Sequence, residues 1–464
     1  MAAQVRRRPS RRAIAVGRRR PALARTAIGS SHEAVRRARP RRRRGRLRAR
    51  VPAERKPGSH RLPRRGGPGL WAVHRRTLAR GHPRRAAARS RFALLATQRP
   101  GRSLAAPGTD PEWGPGWSHA ELEPYLDRGE QTLQSRRLGD EELAPWYQAF
   151  REAAGDDAIV HVVNAVGAVR WNAAFAYLDP SRGRTNLTIL ADTLVERVLT
   201  KDGVATGALA GGRELAADTV FVAAGSYGSP AVLLRSGIGP ADELGRHGIP
   251  LVAELPVGEG LTDHVGTGAA WEPTERLHRE TQAFERDHPL LMASVTVRKR
   301  SRSCAPGVND LFFFPAVEPG YEISAAAFAM KPRSRGSVRL TAQGPEAPLA
   351  IDHGFLREER DAEVLAEGFE ALRELVAGDH AGRYAAAELR PGAEVDAATH
   401  VRATARGFFH PVGTCALGTV VDKRCRVLGF ENLYVVDASV MPTIPRAMTH
   451  LSTIAIAERA AEWI

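Results

Sequence analysis

The chain has few of the features that define several protein classes. It has three cysteines, Cys304, Cys415 and Cys425, too few and too irregularly spaced for a disulfide framework or a zinc site. No metal centre is expected, and three thiols suit a reducing cytoplasm. No apolar run reaches the roughly eighteen residues that a membrane-spanning helix needs, so none is expected. Acidic residues are nearly missing from the first hundred positions, where 31 arginines and one lysine face only Glu33 and Glu54.

That imbalance accounts for the whole net charge of +17. The first hundred residues carry +30 and the remainder −13, so the body of the protein is acidic. With 464 residues, 43% of them hydrophobic, the chain can fill two domains and a large core. An acidic body without basic motifs interleaved with aromatics counts against nucleic-acid binding, although a basic arm permits it.

Residues 1–107 are rich in Arg, Pro, Ala and Gly and hold no sustained apolar period of 2 or 3.6. Three readings fit: a nucleic-acid-binding arm, a transit peptide of unusual length, or a GC-rich gene read out of frame. The last fits the composition best.

From residue 116 the pattern becomes that of a folded protein. Ser118 is placed to cap a helix reaching about residue 133, and a second helix is expected over 140–154. A strand-like run covers 159–163, and a strand 186–190. A hairpin follows, 194–200 and 204–209, turning at Asp202-Gly203. The apolar strand 219–222 meets Ala223-Ala224-Gly225, where glycine permits close backbone approach. Runs at 291–297, 310–314, 325–329 and 337–340 predict an antiparallel sheet. A helix over 358–376 carries Val364, Leu365, Phe369, Leu372 and Val376 on one face.

The last stretch brings histidines to a sheet edge. His410 precedes a Pro-Val-Gly-Thr turn, and His450 precedes a helix expected to begin near Ser452. Between them the strand 433–436 ends on Asp437, as strands do where α/β folds present groups to a ligand. Two imidazoles from separate turns supply a proton acceptor and a hydrogen-bonding partner near neutral pH. His264 is expected to bond between domains; His353, His380 and His400 are expected at the surface, and Cys415 in packing.

Several motifs together resemble one family. They are HPVGTC at 410–415, VVDKRCRVLGFENLYVVDASVMP at 420–442, the THLSTIAIAE helix, GSYGSP at 225–230 and LLRSGIGP at 233–240. LPVGEGLTDH at 255–264, PRSRGSVRL at 332–340 and GWSHAELEPY at 116–125 agree with them. Over residues 114–464 the chain is similar to the glucose-methanol-choline (GMC) flavin oxidoreductases. The resemblance implies FAD as cofactor, a small-molecule alcohol as substrate, and oxygen or another carrier as electron acceptor. It assigns His410 as the catalytic histidine and His450 as the residue that binds and orients the alcohol oxygen. It assigns Val195 to the adenine, Asp437 and Ala438 to the ribityl-pyrophosphate region, Ala224 and Gly225 to the dinucleotide turn, and Leu451 and Thr453 to the flavin-facing helix start.

The implied fold is α/β: an FAD-binding, Rossmann-like domain plus an α+β substrate domain with an antiparallel sheet. The resemblance also implies a short helix over 172–178, before the strand at 186–190. The boundaries expected are 108–264 and 408–464 for the FAD-binding parts and 265–407 for the substrate domain. The family's GxGxxG phosphate loop belongs before residue 116, where Gly66-Gly67-Pro68-Gly69 lacks both the spacing and a preceding strand. The FAD-binding domain is therefore expected to be incomplete. A catalytically inactive remnant unable to hold FAD is the alternative to a working alcohol dehydrogenase or oxidase.

Overall fold

The computed structural model describes residues 113–463, apart from 167–168, 292–293 and 319, and two short strands before them, Ala13–Val16 and Ala96–Thr97. The rest of the basic segment, its Gly66–Gly69 run and the out-of-frame reading of it lie outside the described residues.

A seven-stranded antiparallel sheet forms one half of the fold. Val265–Pro273 pairs with Ile323–Ala329, which pairs with Leu311–Val317, then Val295–Lys299 and the edge strand Ala158–Val160; Ala385–Arg390 and Arg406–Gly407 flank the other side. Successive strand residues face opposite ways, and 311–314 shows the result. Leu311 and Phe313 join the large core under helices Pro145–Ala154 and Glu359–Ala377. Phe312 and Phe314 point to the other face, where Phe328, Met330 and Phe408 gather. All five apolar residues expected on the inner face of Glu359–Ala377 are buried.

The second half is built on two parallel strands, Val220–Val222 and Leu433–Val435, in the register Val220↔Leu433. Helices His119–Thr132, Gly225–Arg235 and Thr449–Ala460 pack around them with their own core, in which Cys415 is fully buried. Ser118 caps the first helix through a capping box with Glu121. Val195–Lys201 and Val204–Ala210 form the hairpin, turning at Asp202 (φ +50°) and Gly203 (φ +77°). Ala13–Val16 runs parallel to Leu187–Leu190.

Four local expectations need correction. The helix expected over 140–154 is a short turn at Asp140–Glu142 and a helix that starts only at Pro145, whose fixed φ suits the first helical position. The run 172–178 makes a single wide turn, Ala174–Leu178. The strand expected at 291–297 begins at Val295. The strand Gly336–Leu340 lies outside the large sheet and pairs with Glu259–Leu261 and Leu349–Asp352. No helix among the described residues is long and apolar enough to cross a membrane.

Candidate active site

The segment 406–412 is laid against 262–266 by backbone pairing. Val265 faces Gly407 in antiparallel register, Phe408 N–H donates to His264 carbonyl at 3.0 Å, and Thr262 and Val412 exchange bonds at 3.1 and 2.9 Å. Between these anchors Phe409 takes φ +64°, a left-handed conformation that β-carbon sterics disfavour. The buried carboxylate of Asp263 holds the bend, accepting from His410 N–H at 2.9 Å. Burial pushes Asp263 up to about 7, against the pull of the backbone N–H groups of His410, Phe408, His264 and Phe409.

Gly407 is required beneath this carboxylate, because a β-carbon there would sit 2.4 Å from Asp263 Oδ2. Gly407→Ala is expected to lower stability by about 1–3 kcal/mol through overpacking and to reduce turnover by displacing His410. Urea melts and steady-state rates on the same preparation check both.

The bend delivers His410 to His264. Their Nδ1 atoms are 3.1 Å apart, and His264 Nε2 lies 2.8 Å from Pro445 carbonyl. Helix Thr449–Ala460 supplies His450 from its first turn; it starts three residues earlier than the sequence suggested, so His450 is within it. His450 Nε2 is buried with no partner among the described residues, and so is Ser452 Oγ. His450 is close enough to His410 to disfavour its protonation. Burial lowers His410 to about 3 and His450 to about 4, with Arg170 adding to the effect on His450. His264 is fully buried and also held well below its ordinary value, by burial, His410 and Lys331. All three rings are neutral at physiological pH. A neutral imidazole can accept a proton; an imidazolium cannot.

On the sheet side, Phe408 stands edge-on to His410 at 4.8 Å between ring centres and stacks on Phe328 at 3.9 Å, with Phe314 edge-on to Phe408 at 5.2 Å. The Phe312–Phe314 face of the sheet therefore forms an aromatic wall beside the histidines.

At the carboxyl edge of the parallel strands Asp437 ties the other predicted residues together. Its Oδ2 accepts from Gly225 N–H at 2.9 Å and from the Ser229 hydroxyl, and its Oδ1 from Ser439 N–H at 2.8 Å. Ala224, Gly225, Asp437 and Ala438 are thus one cluster. Leu451 is buried in the helix that carries His450, and Thr453 donates its hydroxyl to Thr449 carbonyl at 2.9 Å. Val195 stands apart. Its hairpin is fixed to the far end of helix Gly225–Arg235 by Arg235 Nε to Glu196 carbonyl and Val198 N–H to Ser236 Oγ, both 2.8 Å. That end is about 16 Å from Gly225, at 1.5 Å per helical residue.

Sequence reasoning read His264 as structural and left Asp263 without a role, although the two adjoin in LPVGEGLTDH; their place against 408–410 is a tertiary fact. Two surface assignments were wrong. His400 is buried, bonded to Thr267 Oγ1 at 3.0 Å and packed on Phe369, because it lies on the inner face of helix Ala397–Thr404. His353 is half-buried against Tyr227 and Phe355. His380 is exposed, beside Glu152.

Comparison with known proteins decides what this arrangement belongs to. Sequence profiles of the GMC oxidoreductases match residues 157–266 and 332–457. Pyridoxine 4-oxidase of Microbacterium luteolum is 32% identical over 356 residues, 69% of this chain and 70% of that protein. The chain belongs to the GMC oxidoreductase family. Mitochondrial choline dehydrogenase of Homo sapiens is 34% identical over 343 residues, which cover 64% of this chain and 56% of the human protein's length. The crystal structure of pyridoxine 4-oxidase from Mesorbium loti superposes with a TM-score of 0.67 at 28% identity, covering 75% of this chain and 78% of that one. Formate oxidase shares the fold alone, with a TM-score of 0.64 at 20% identity over 79% of this chain and 81% of that one.

GMC enzymes oxidise alcohols with FAD, and the described residues fit the flavin end of that cofactor. The start of helix Thr449–Ala460 has no side-chain cap, and it carries the two orphaned polar atoms on His450 and Ser452. Such a terminus offers free N–H groups and a positive dipole end to an electron-rich ring. Gly225 takes φ +78°, and nothing stands within 4 Å of where its β-carbon would be.

Proposed function

We propose that this chain is an alcohol oxidoreductase in which His410 Nε2 takes the hydroxyl proton while His450 holds the alcohol oxygen. One observation carries this: two neutral imidazoles within electrostatic reach, one with a buried ring nitrogen that no described residue satisfies. FAD held there would supply the acceptor for the hydride of the carbinol carbon. Removal of that hydride is easier as the hydroxyl proton departs, so the timing rests on a base within hydrogen-bond reach. Asp263 serves by fixing the backbone from Phe408 to His410, which keeps the ring from swinging away from the alcohol.

Leu451 and Thr453, at the start of the His450 helix, are proposed to bind the flavin ring. Ala224, Gly225, Asp437 and Ala438 are proposed to support its ribityl-pyrophosphate part, and Val195 the adenine. Residues 108–264 with 408–464 would form the flavin half, and 265–407 the substrate half. Three free thiols support a cytoplasmic setting.

The walls favour an uncharged aromatic alcohol. Phe408 stands against His410, backed by Phe328 and Phe314. Two cationic side chains act on the histidines, Lys331 on His264 and Arg170 on His450. A permanent cation such as choline meets repulsion there. The purified chain is expected to be yellow and to be bleached anaerobically by benzyl alcohol at concentrations where choline has no effect. A colourless chain that does not take up added FAD would sink the proposal in favour of an inactive remnant. Bleaching by choline alone would remove the aromatic preference.

A further inference from the structure

We propose that His264 is a positioning residue that sets the tautomer of His410, so that Nε2 and no other ring nitrogen receives the substrate proton. The inference rests on the assignment of His410 as the base and adds the reason that one nitrogen is available.

The argument is one of elimination along a hydrogen-bond chain. Pro445 carbonyl can only accept, so His264 Nε2, at 2.8 Å, carries a hydrogen and donates it. His264 is wholly buried, and the nearby ammonium of Lys331 disfavours a second proton on it. Its Nδ1 is therefore bare and can only accept. His410 Nδ1 stands 3.1 Å from that lone pair, so it carries the hydrogen of the contact. A neutral imidazole holds one N–H, which leaves His410 Nε2 as a lone pair. The direction of donation runs from His410 to His264 to Pro445, and each link is fixed by the next.

A carboxylate would do this task in many hydrolases, where it holds the ring and also stabilises the imidazolium. Here the adjacent carboxylate, Asp263, is turned to the backbone N–H of His410 instead. The orienting group is a neutral ring, so it selects the tautomer without adding negative charge. That matches an imidazole meant to hold a proton briefly and pass it on. In the other tautomer His410 would present an N–H to the substrate oxygen and could not accept from it, while two bare Nδ1 atoms would face each other at 3.1 Å.

The test is the ring-nitrogen NMR spectrum of the full chain labelled with 15N-histidine, with His410 assigned by its loss in H410Q. The wild-type spectrum at neutral pH is expected to show His410 protonated on Nδ1 and bare on Nε2; the reverse pattern overturns the proposal without any variant at position 264. His264→Phe keeps ring volume and removes both nitrogens. It should shift His410 toward the Nε2–H form and lower kcat by about 10- to 100-fold, with KM changing far less. His264→Asn can still accept from His410 Nδ1 through its amide oxygen and should recover part of kcat. An unchanged His410 spectrum in H264F would overturn the proposal. A correct wild-type tautomer in a chain that binds flavin and oxidises no alcohol would uphold the hydrogen-bond chain and defeat the assigned function instead.

Discussion

Replacing His410 by alanine is expected to lower kcat/KM for the alcohol by about 10²–10⁴-fold, the usual loss when a positioned general base is removed. Bound flavin should remain, because the groups proposed to hold it lie on helix Thr449–Ala460 and at the Gly225–Asp437 cluster. His410→Ala should also abolish the response of turnover to substitutions at His264, since the second acts only through the first. Stopped-flow reduction of the flavin by the alcohol measures the step directly. A rate of reduction within about threefold of wild type would remove His410 from the chemistry, being far inside the loss expected of a general base. His450→Ala should raise KM as well as lower kcat, because a residue that holds the alcohol oxygen contributes to binding before the reaction.

The same histidines should make stability fall steeply with acid. His410 and His450 are lowered to about 3 and about 4, and His264 well below its ordinary value, from the usual 6.5. Below about 6.5 the unfolded chain binds protons at these sites that the folded protein refuses. Their contribution is full above that pH and is lost as pH falls. Asp263 works in the opposite sense: raised from 3.8 to about 7, it is protonated in the folded protein where the unfolded chain is not, so its contribution grows as pH falls below 7. Three histidines against one aspartate leave a net difference of about two protons between pH 6 and 5. At about 1.4 kcal/mol per proton per pH unit, the folded state should lose about 2–3 kcal/mol over that interval. Urea unfolding at pH 7, 6 and 5 checks the slope, and His450→Gln should reduce it by one proton. A stability independent of pH across this range would mean that the rings are protonated in the folded protein.

Much of the candidate site was legible in the sequence because it is carried by short local signals. HPVGTC and the THLSTIAIAE helix named His410 and His450, and the structure brings both to one place. The strand ending on Asp437 was read from four apolar residues followed by a carboxylate, and its position at the carboxyl edge of a parallel pair follows from that order. What could not be read was contact across the chain. His264 and His410 are 146 residues apart and meet through backbone pairing of 262–266 with 406–412, whose sequence has no alternating pattern. His400 looked like a surface residue because its helix is two turns long, too short for an apolar period to show which face is inward. The strand Gly336–Leu340 alternates as well as its neighbours in the sequence do, and alternation does not say which sheet a strand joins. The helix start at Thr449 was missed because Met448 offers no capping side chain.

The alternation at 311–314 has a consequence for how such an enzyme can change over generations. Phe313 is sealed in the main core, while Phe314, its neighbour in the chain, faces the wall beside His410. One residue answers to the folding threshold, and the next, on the proposed substrate wall, would answer to the shape of the alcohol. A lineage can therefore try new side chains at 314 while 313 stays fixed, and substrate range can drift without carrying the fold toward collapse. Adjacent codons on a single strand are in this way exposed to two separate selective pressures.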